Sequence, residues 1–280
     1  MAIEIRDIVS KNILSEAKGY LDMGFTHSLN PYSGCAFSCR YCYVREMPIQ
    51  KFKDTPWGEW VDIKTNAAEN YRTEVIKLRR KNKPVNIFMS SATDPYQPIE
   101  RKAEITRQIL EAMIEWPPDL LQIQTRSPLI TRDLDLLVRL KTNCEVLVSM
   151  TIETDREDMK QLFAPYAPGI QLRIKALREL HEAGITTQAS ISPVLPFTRD
   201  FPNVLKGIVD RIWIDTLNIG DGSMGKRSER LGMPQVFETN GLSEWYSRDI
   251  HARVEKYFKA QFSQEMIHVS KSEAFPNFKK

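Results

Sequence analysis

Residues 173–193 read RIKALRELHEAGITTQASISP, and within them the hydrophobic period changes. Ile174, Leu177 and Leu180 recur at the spacing of one helical face as far as Gly184, which suits the left-handed position that ends a helix. From Ile185 to Pro193 the residues favour a strand. Upstream, Glu145 to Ile152 (EVLVSMTI) supplies the strand that the helix follows. The same alternation recurs on either side. Val85 to Ser91, Leu120 to Ser127 and Arg211 to Ile219 read as strands, and Phe25 to Asn30 as a weaker first one. Between them Ala68, Tyr71, Val75 and Leu78, then Ile105, Ile109 and Met113, mark crossover helices. Strand then helix, repeated about six times, implies a parallel sheet with right-handed crossovers, which either an open sheet or a partial barrel satisfies.

Bulk composition agrees with a single large α/β domain: 280 residues, 42% hydrophobic and 27% charged. A formal charge of +3 gives little support for a polyanionic partner by itself. Glu4, Arg6, Asp7 and Lys11 stand where a signal peptide needs an apolar core, and no run approaches the ~18 residues that span a bilayer. The expectation is a cytoplasmic chain with no membrane contact. Residues 221–280 are expected to add a loop over Gly220 to Pro234 and a last helix near Ser243 to Gln261.

In parallel sheets the chemistry lies at the C-terminal strand ends. That rule selects Ser90, Ser91, Thr93, Asp94, Thr125, Arg126, Ser149, Thr151, Ser190 and Ser192 as candidates.

Four cysteines occur, and three of them, Cys35, Cys39 and Cys42, form C-x3-C-x2-C after the turn-forming residues Asn30 to Gly34. So tight a group does not make a disulfide framework; it points to a metal or redox site and to a reducing compartment. A structural zinc wants four closed ligands, and Cys144 is remote in sequence, at the start of a strand and hence at the far end of the sheet. Three thiolates leave one metal position open, as an iron-sulfur cluster needs if it is to bind a small molecule. Zinc remains the alternative.

At these residues the chain resembles the radical S-adenosylmethionine (SAM) superfamily, with an aromatic residue, Tyr41, before the last cysteine. More narrowly, NPYSGCAFSCRYCYVREMP, SSATDPYQP, TRSPLITRDLDLL and RIKALRELHEAGI are similar to the spore photoproduct lyase-like, or DNA repair photolyase-like, branch. The resemblance runs over about residues 26–196. It implies a partial (β/α)6 barrel of parallel strands with outer helices, plus a C-terminal helical extension. Residues 1–24 would be an N-terminal extension, 25–220 the barrel with its cluster loop, and 221–280 a loop and helix packed on the same domain. It further implies a 4Fe-4S cluster on Cys35, Cys39 and Cys42, S-adenosylmethionine on the open iron, and reductive cleavage to a 5'-deoxyadenosyl radical that abstracts hydrogen from substrate. An external reductant such as flavodoxin or ferredoxin would supply the electron. Tyr41 would lie beside the adenine, Thr93 and Ser149 at cofactor contacts, and Arg126 against the methionyl carboxylate. Ser91, Asp94, Thr151 and Arg173 complete the expected cofactor shell.

One departure bears on substrate. Where spore photoproduct lyase proper carries a cysteine hydrogen donor, this chain has Ser91, whose O–H bond is too strong to donate hydrogen readily to a carbon radical. Tyr43 remains as a hydrogen relay. A nucleic-acid substrate is therefore expected in a related reaction, with a peptide or small metabolite as the alternative and a non-catalytic metal-binding module as a third reading. Gly220 to Arg227 imitates a phosphate-binding loop, G-x4-G-K, but has Arg227 in place of the magnesium-binding hydroxyl. Lys226, Arg227 and Arg230 are expected instead to clamp substrate phosphates.

Overall fold

The computed structural model describes residues 3–270. Its strands are β1 (Glu4–Ile8), β2 (Leu14–Glu16), β3 (His27–Leu29), β4 (Tyr32–Gly34), β5 (Trp60–Lys64), β6 (Asn86–Met89), β7 (Leu120–Thr125), β8 (Glu145–Thr151), β9 (Thr186–Ile191), β10 (Arg211–Ile214) and β11 (Ile267–Val269). The main sheet runs in the order β11-β10-β9-β8-β7-β6-β3-β2. Every pair from β3 to β11 is parallel, and β2 closes the other edge antiparallel to β3. All six strands read from the sequence are present, and the architecture is the expected α/β one of parallel strands with outer helices.

Period-two alternation explains how this sheet is used. Leu121 and Ile123 of β7, Val148 and Met150 of β8, Ala189 and Ile191 of β9, and Ile212 and Ile214 of β10 face outward into the main core. There they meet Ile109 and Met113 from the helix Ile105–Glu115, and Leu177 and Leu180 from the helix Ile170–Glu182. All of these side chains are fully buried, each except Ala189 contributing roughly 1.5–3 kcal/mol of apolar transfer. The intervening residues face the other way, and many are polar: Gln122, Gln124, Ser149, Thr151, Gln188, Ser190 and Asp215. A sheet apolar on both faces would hold a dry core; this one turns a face with many polar side chains toward an enclosed cavity.

The chain ends differ from the sequence expectation. The first residues are woven in rather than set apart: β1 pairs parallel with β5, in a second sheet of order β1-β5-β4, and β2 pairs with β3. Gly220 to Pro234 is not one long loop but carries the helix Lys226–Arg230, and the helix Met233–Thr239 begins within it. The last helix is Ile250–Lys259, after a 3-10 turn at Ser243–Tyr246. Beyond it β11 returns to the sheet beside β10, a seventh parallel strand too short to leave a periodic signal. Among the described residues no helix is long and apolar enough to cross a membrane.

Candidate active site at the mouth of the barrel

The loop carrying the three cysteines is irregular, so its shape comes from side chains of distant segments. Gly34 leaves β4 at φ +80, where a Cβ would fall 2.3 Å from the Trp60 carbonyl oxygen; only glycine fits. Its carbonyl accepts from Thr93 Oγ1 at 2.5 Å and from Gln97 Nε2 at 3.4 Å, while the amide of Ala36 donates to Gln97 Oε1 at 2.9 Å. Arg45 donates to the carbonyls of Ser38 and Cys39 at 2.9 and 3.0 Å. Neither Gln97 nor Arg45 stands out in the sequence; both set the backbone of the cysteine loop.

Cys35, Cys39 and Cys42 are free thiols that line one cavity of about 450 Å³. Cys144 sits at the opposite end of β8 and takes no part. Burial pushes all three thiols up, Cys42 to about 11, so thiolates here require a bound cationic group. Among the described residues no three His, Cys, Asp or Glu side chains converge on a point one ion could occupy. Three thiolates from one loop are the donor set that a 4Fe-4S cluster with one open iron takes.

Beyond the loop, the cavity wall is built from strand ends. Thr93, Thr151 and Arg126 reach it from the strand side, and Tyr41 and Tyr43 from the cysteine loop. Arg126 Nη1 donates to Tyr41 Oη at 2.7 Å and to Glu153 Oε1 at 2.6 Å, and the Tyr41 hydroxyl donates to the same carboxylate. The other oxygen, Glu153 Oε2, accepts from Arg173 Nη1 at 2.6 Å. Burial alone would raise the Glu153 pKa, but Arg173 and Arg126 hold it down at about 2. Burial likewise opposes the Arg126 charge, which Cys39, Tyr41 and Glu153 restore and strengthen. Glu153 escaped the sequence reading although it is the first acid after an apolar strand.

Other expected residues have different surroundings. Asp94 lines the cavity, but its carboxylate takes the amide hydrogens of Tyr96 and Arg126 and the hydroxyl of Thr125, which makes it a brace between β6 and β7. Ser149 does not reach the cavity: it is fully buried and accepts from Gln188 Nε2 at 2.8 Å. Arg173 is likewise fully buried behind the wall, with Nε and Nη2 lacking any protein partner. Ser91 Oγ accepts from Asn30 Nδ2 at 3.3 Å, and the Tyr43 hydroxyl donates to the Ser91 carbonyl. Ser90 reaches the wall with φ +77, and its hydroxyl is buried without a partner, an orphaned polar atom that a bound cofactor would satisfy.

None of Lys226, Arg227 and Arg230 lines the cavity. Arg230 pairs with Glu46 at 2.8 Å, and Arg227 Nη1 donates to the Asp221 carbonyl at 2.6 Å. The Asp221 carboxylate accepts the amide hydrogens of Ser223, Gly225, Arg227 and Ser228. The backbone donors that would cradle a phosphate are thus already filled by the chain's own anion, so a phosphate contact on this loop would fall to the side chains alone. In its place the wall presents residues the sequence reading passed over, Gln122, Gln124, Gln188, Trp213, Asp215 and Thr216. Their signal was polar residues at alternate positions of otherwise apolar strands.

The radical SAM superfamily model matches residues 29–206. The chain belongs to that superfamily, and it is an enzyme of the radical SAM type. It is 30% identical over 239 residues to an uncharacterised protein of Methanocaldococcus jannaschii, covering 84% of this chain and 86% of the relative. A radical SAM Nalpha-GlyT isomerase of Pseudomonas phage M6 is 28% identical over 59% of this chain, which spans 32% of that protein's length. Among solved structures, a cysteine variant of spore photoproduct lyase with dinucleoside spore photoproduct superposes with a TM-score of 0.64 at 14% identity, covering 95% of this chain and 81% of the other. The fold is therefore spore photoproduct lyase-like.

Proposed function

We propose that Cys35, Cys39 and Cys42 hold a 4Fe-4S cluster and that S-adenosylmethionine binds beside it in the barrel, as membership of the superfamily implies. The observation that carries this reading is that the three thiols of one C-x3-C-x2-C loop open into a single cavity at the strand ends. When bound, cluster and cofactor together supply a carbon-centred radical, with the electron drawn from an external reductant of the flavodoxin or ferredoxin kind. The chain's own residues bind and orient. Arg126, kept cationic by Glu153, offers its guanidinium to the methionyl carboxylate. The Tyr41 ring flanks the adenine, and Thr93 and Thr151 present hydroxyls. Arg173, behind the wall, fixes the Glu153 carboxylate. Tyr43 stands beside Ser91 as the hydrogen-relay candidate.

The substrate we infer is derived from nucleic acid. The dinucleoside spore photoproduct carried by the lyase variant of the same fold supports it. A peptide or small metabolite is the second reading, favoured by a cavity wall whose only cations among the described residues are Lys18 and Arg126. Anaerobic reconstitution tests both levels. About four irons per chain are expected in the wild type and in Cys144→Ala, and none in Cys39→Ala. Reduction with S-adenosylmethionine should yield 5'-deoxyadenosine, more of it with oligonucleotide present; an intact cluster in Cys39→Ala overturns the ligand assignment.

A further inference from the structure

We propose that Asp215 and Thr216, where the chain leaves β10, contact the substrate and receive an uncharged hydrogen-bonding group, such as a carbonyl, an amide or a hydroxyl, rather than a phosphate or carboxylate. This rests on the cavity being where the radical meets its substrate. Asp215 is 8% exposed and lies in the cavity wall. Its partners are all neutral. Oδ1 accepts the Thr216 amide hydrogen at 2.8 Å, Oδ2 accepts from Ser192 Oγ at 3.4 Å, and Ser270, just past β11, also bonds to it. Among the described residues no Lys, Arg or His pairs with it. The titratable groups whose fields reach it are Asp221, from the following loop, and Tyr43, from the cysteine-loop side. Of the cations on that loop, Arg227, whose field also reaches Tyr43, is turned to the Asp221 carbonyl, and neither it nor Lys226 lines the cavity.

The backbone makes room for this carboxyl. A Cβ on Gly220 would fall 2.0 Å from Asp215 Oδ2, so the returning loop presses directly over the acid. Next to it Thr216, 3% exposed and also in the wall, has a hydroxyl with no protein partner. Buried hydroxyls are nearly always satisfied, so this one points to a ligand group that completes it. Burial raises the Asp215 pKa to about 7, which leaves a carboxyl able to donate as well as accept. An anionic ligand group would find no cation here and a like charge on Asp221. As pH rises through about 7 the acid ionises, and the donated hydrogen bond is lost.

The test uses reconstituted holoenzyme, with iron content as the folding control for each variant. Infrared difference spectra between about pH 5.5 and 8.5 should show a carboxylic acid band titrating near neutrality in the wild type and absent from Asp215→Asn. In parallel, 5'-deoxyadenosine formation per cluster is measured with and without a short oligothymidylate. Stimulation by the oligonucleotide should decline across the same pH range in the wild type and be flat in Asp215→Asn. It should fall by about tenfold, the worth of one hydrogen bond, in Asp215→Ala and in Thr216→Val. An Asp215 band that titrates as an ordinary carboxylate overturns the proposal, as does an Asn variant that keeps the wild-type pH midpoint. If the oligothymidylate stimulates nothing, the nucleic-acid reading falls, and the infrared titration alone decides for or against Asp215.

Discussion

Glu153 and Asp215 are both carboxyls buried at strand ends, and burial by itself drives each toward its neutral form. Their neighbours separate them: two arginines hold Glu153 at about 2, whereas Asp215, with neutral partners, rises to about 7. The consequences for stability have opposite signs. Glu153 is lowered from 4.5, so its contribution is complete above that value and is lost as pH falls toward 2. Replacing it by Gln leaves the fully buried Arg173 uncompensated, and a loss of about 3–5 kcal/mol in denaturant titrations at pH 7 is expected. An unchanged midpoint would show that the two arginines need no anion. Asp215 is raised from 3.8, so it destabilises the fold increasingly between that pH and about 7 and most above it. Asp215→Asn should therefore melt higher than wild type at pH 8, by up to roughly 4 kcal/mol, and equally at pH 4. A gain that does not grow with pH would contradict the buried neutral acid. Neither role was legible in the sequence, because each depends on which distant residues share the pocket. The three cysteines were legible, since their grouping is local.

Two elements show how a short segment is fixed by what lies far away. Spacing announces the cysteine loop, but its course depends on Thr93, Gln97 and the Trp60 carbonyl, which come close only in the folded chain. Gly34→Ala is expected to lose most of its iron on reconstitution, because the added Cβ meets backbone on one side and a left-handed conformation on the other. Full iron loading would show that the loop shifts without harm. The Gly-rich segment after β10 shows the complementary case. Its glycines do build a nest of backbone amides, yet Asp221 fills that nest from within. Asp221→Ala should free these donors and loosen the helix Lys226–Arg230, visible as faster hydrogen exchange over residues 221–231. Exchange rates equal to wild type would deny the carboxylate its organising role.

For the molecule as a whole, the six central strands were readable because each is a run of apolar residues bounded by a helical pattern. The sheet's borders were not: β2 and β11 are three residues long and are held by pairing rather than by pattern. Their importance exceeds their length. A chain ending at Phe262 would bare the edge of β10 along Ile212 and Ile214, and such an unpaired apolar edge invites association with other chains. Aggregation on expression is expected for that truncation, measured by light scattering, and a monodisperse product would contradict it. The same topology imposes a timetable on biosynthesis. On the ribosome the cysteine thiols emerge early, while the strand that brings Ser270 against Asp215 is among the last parts of the described chain to appear. The thiols thus exist well before the chamber that shields them, and on the proposed function cluster delivery can precede the closing of the wall.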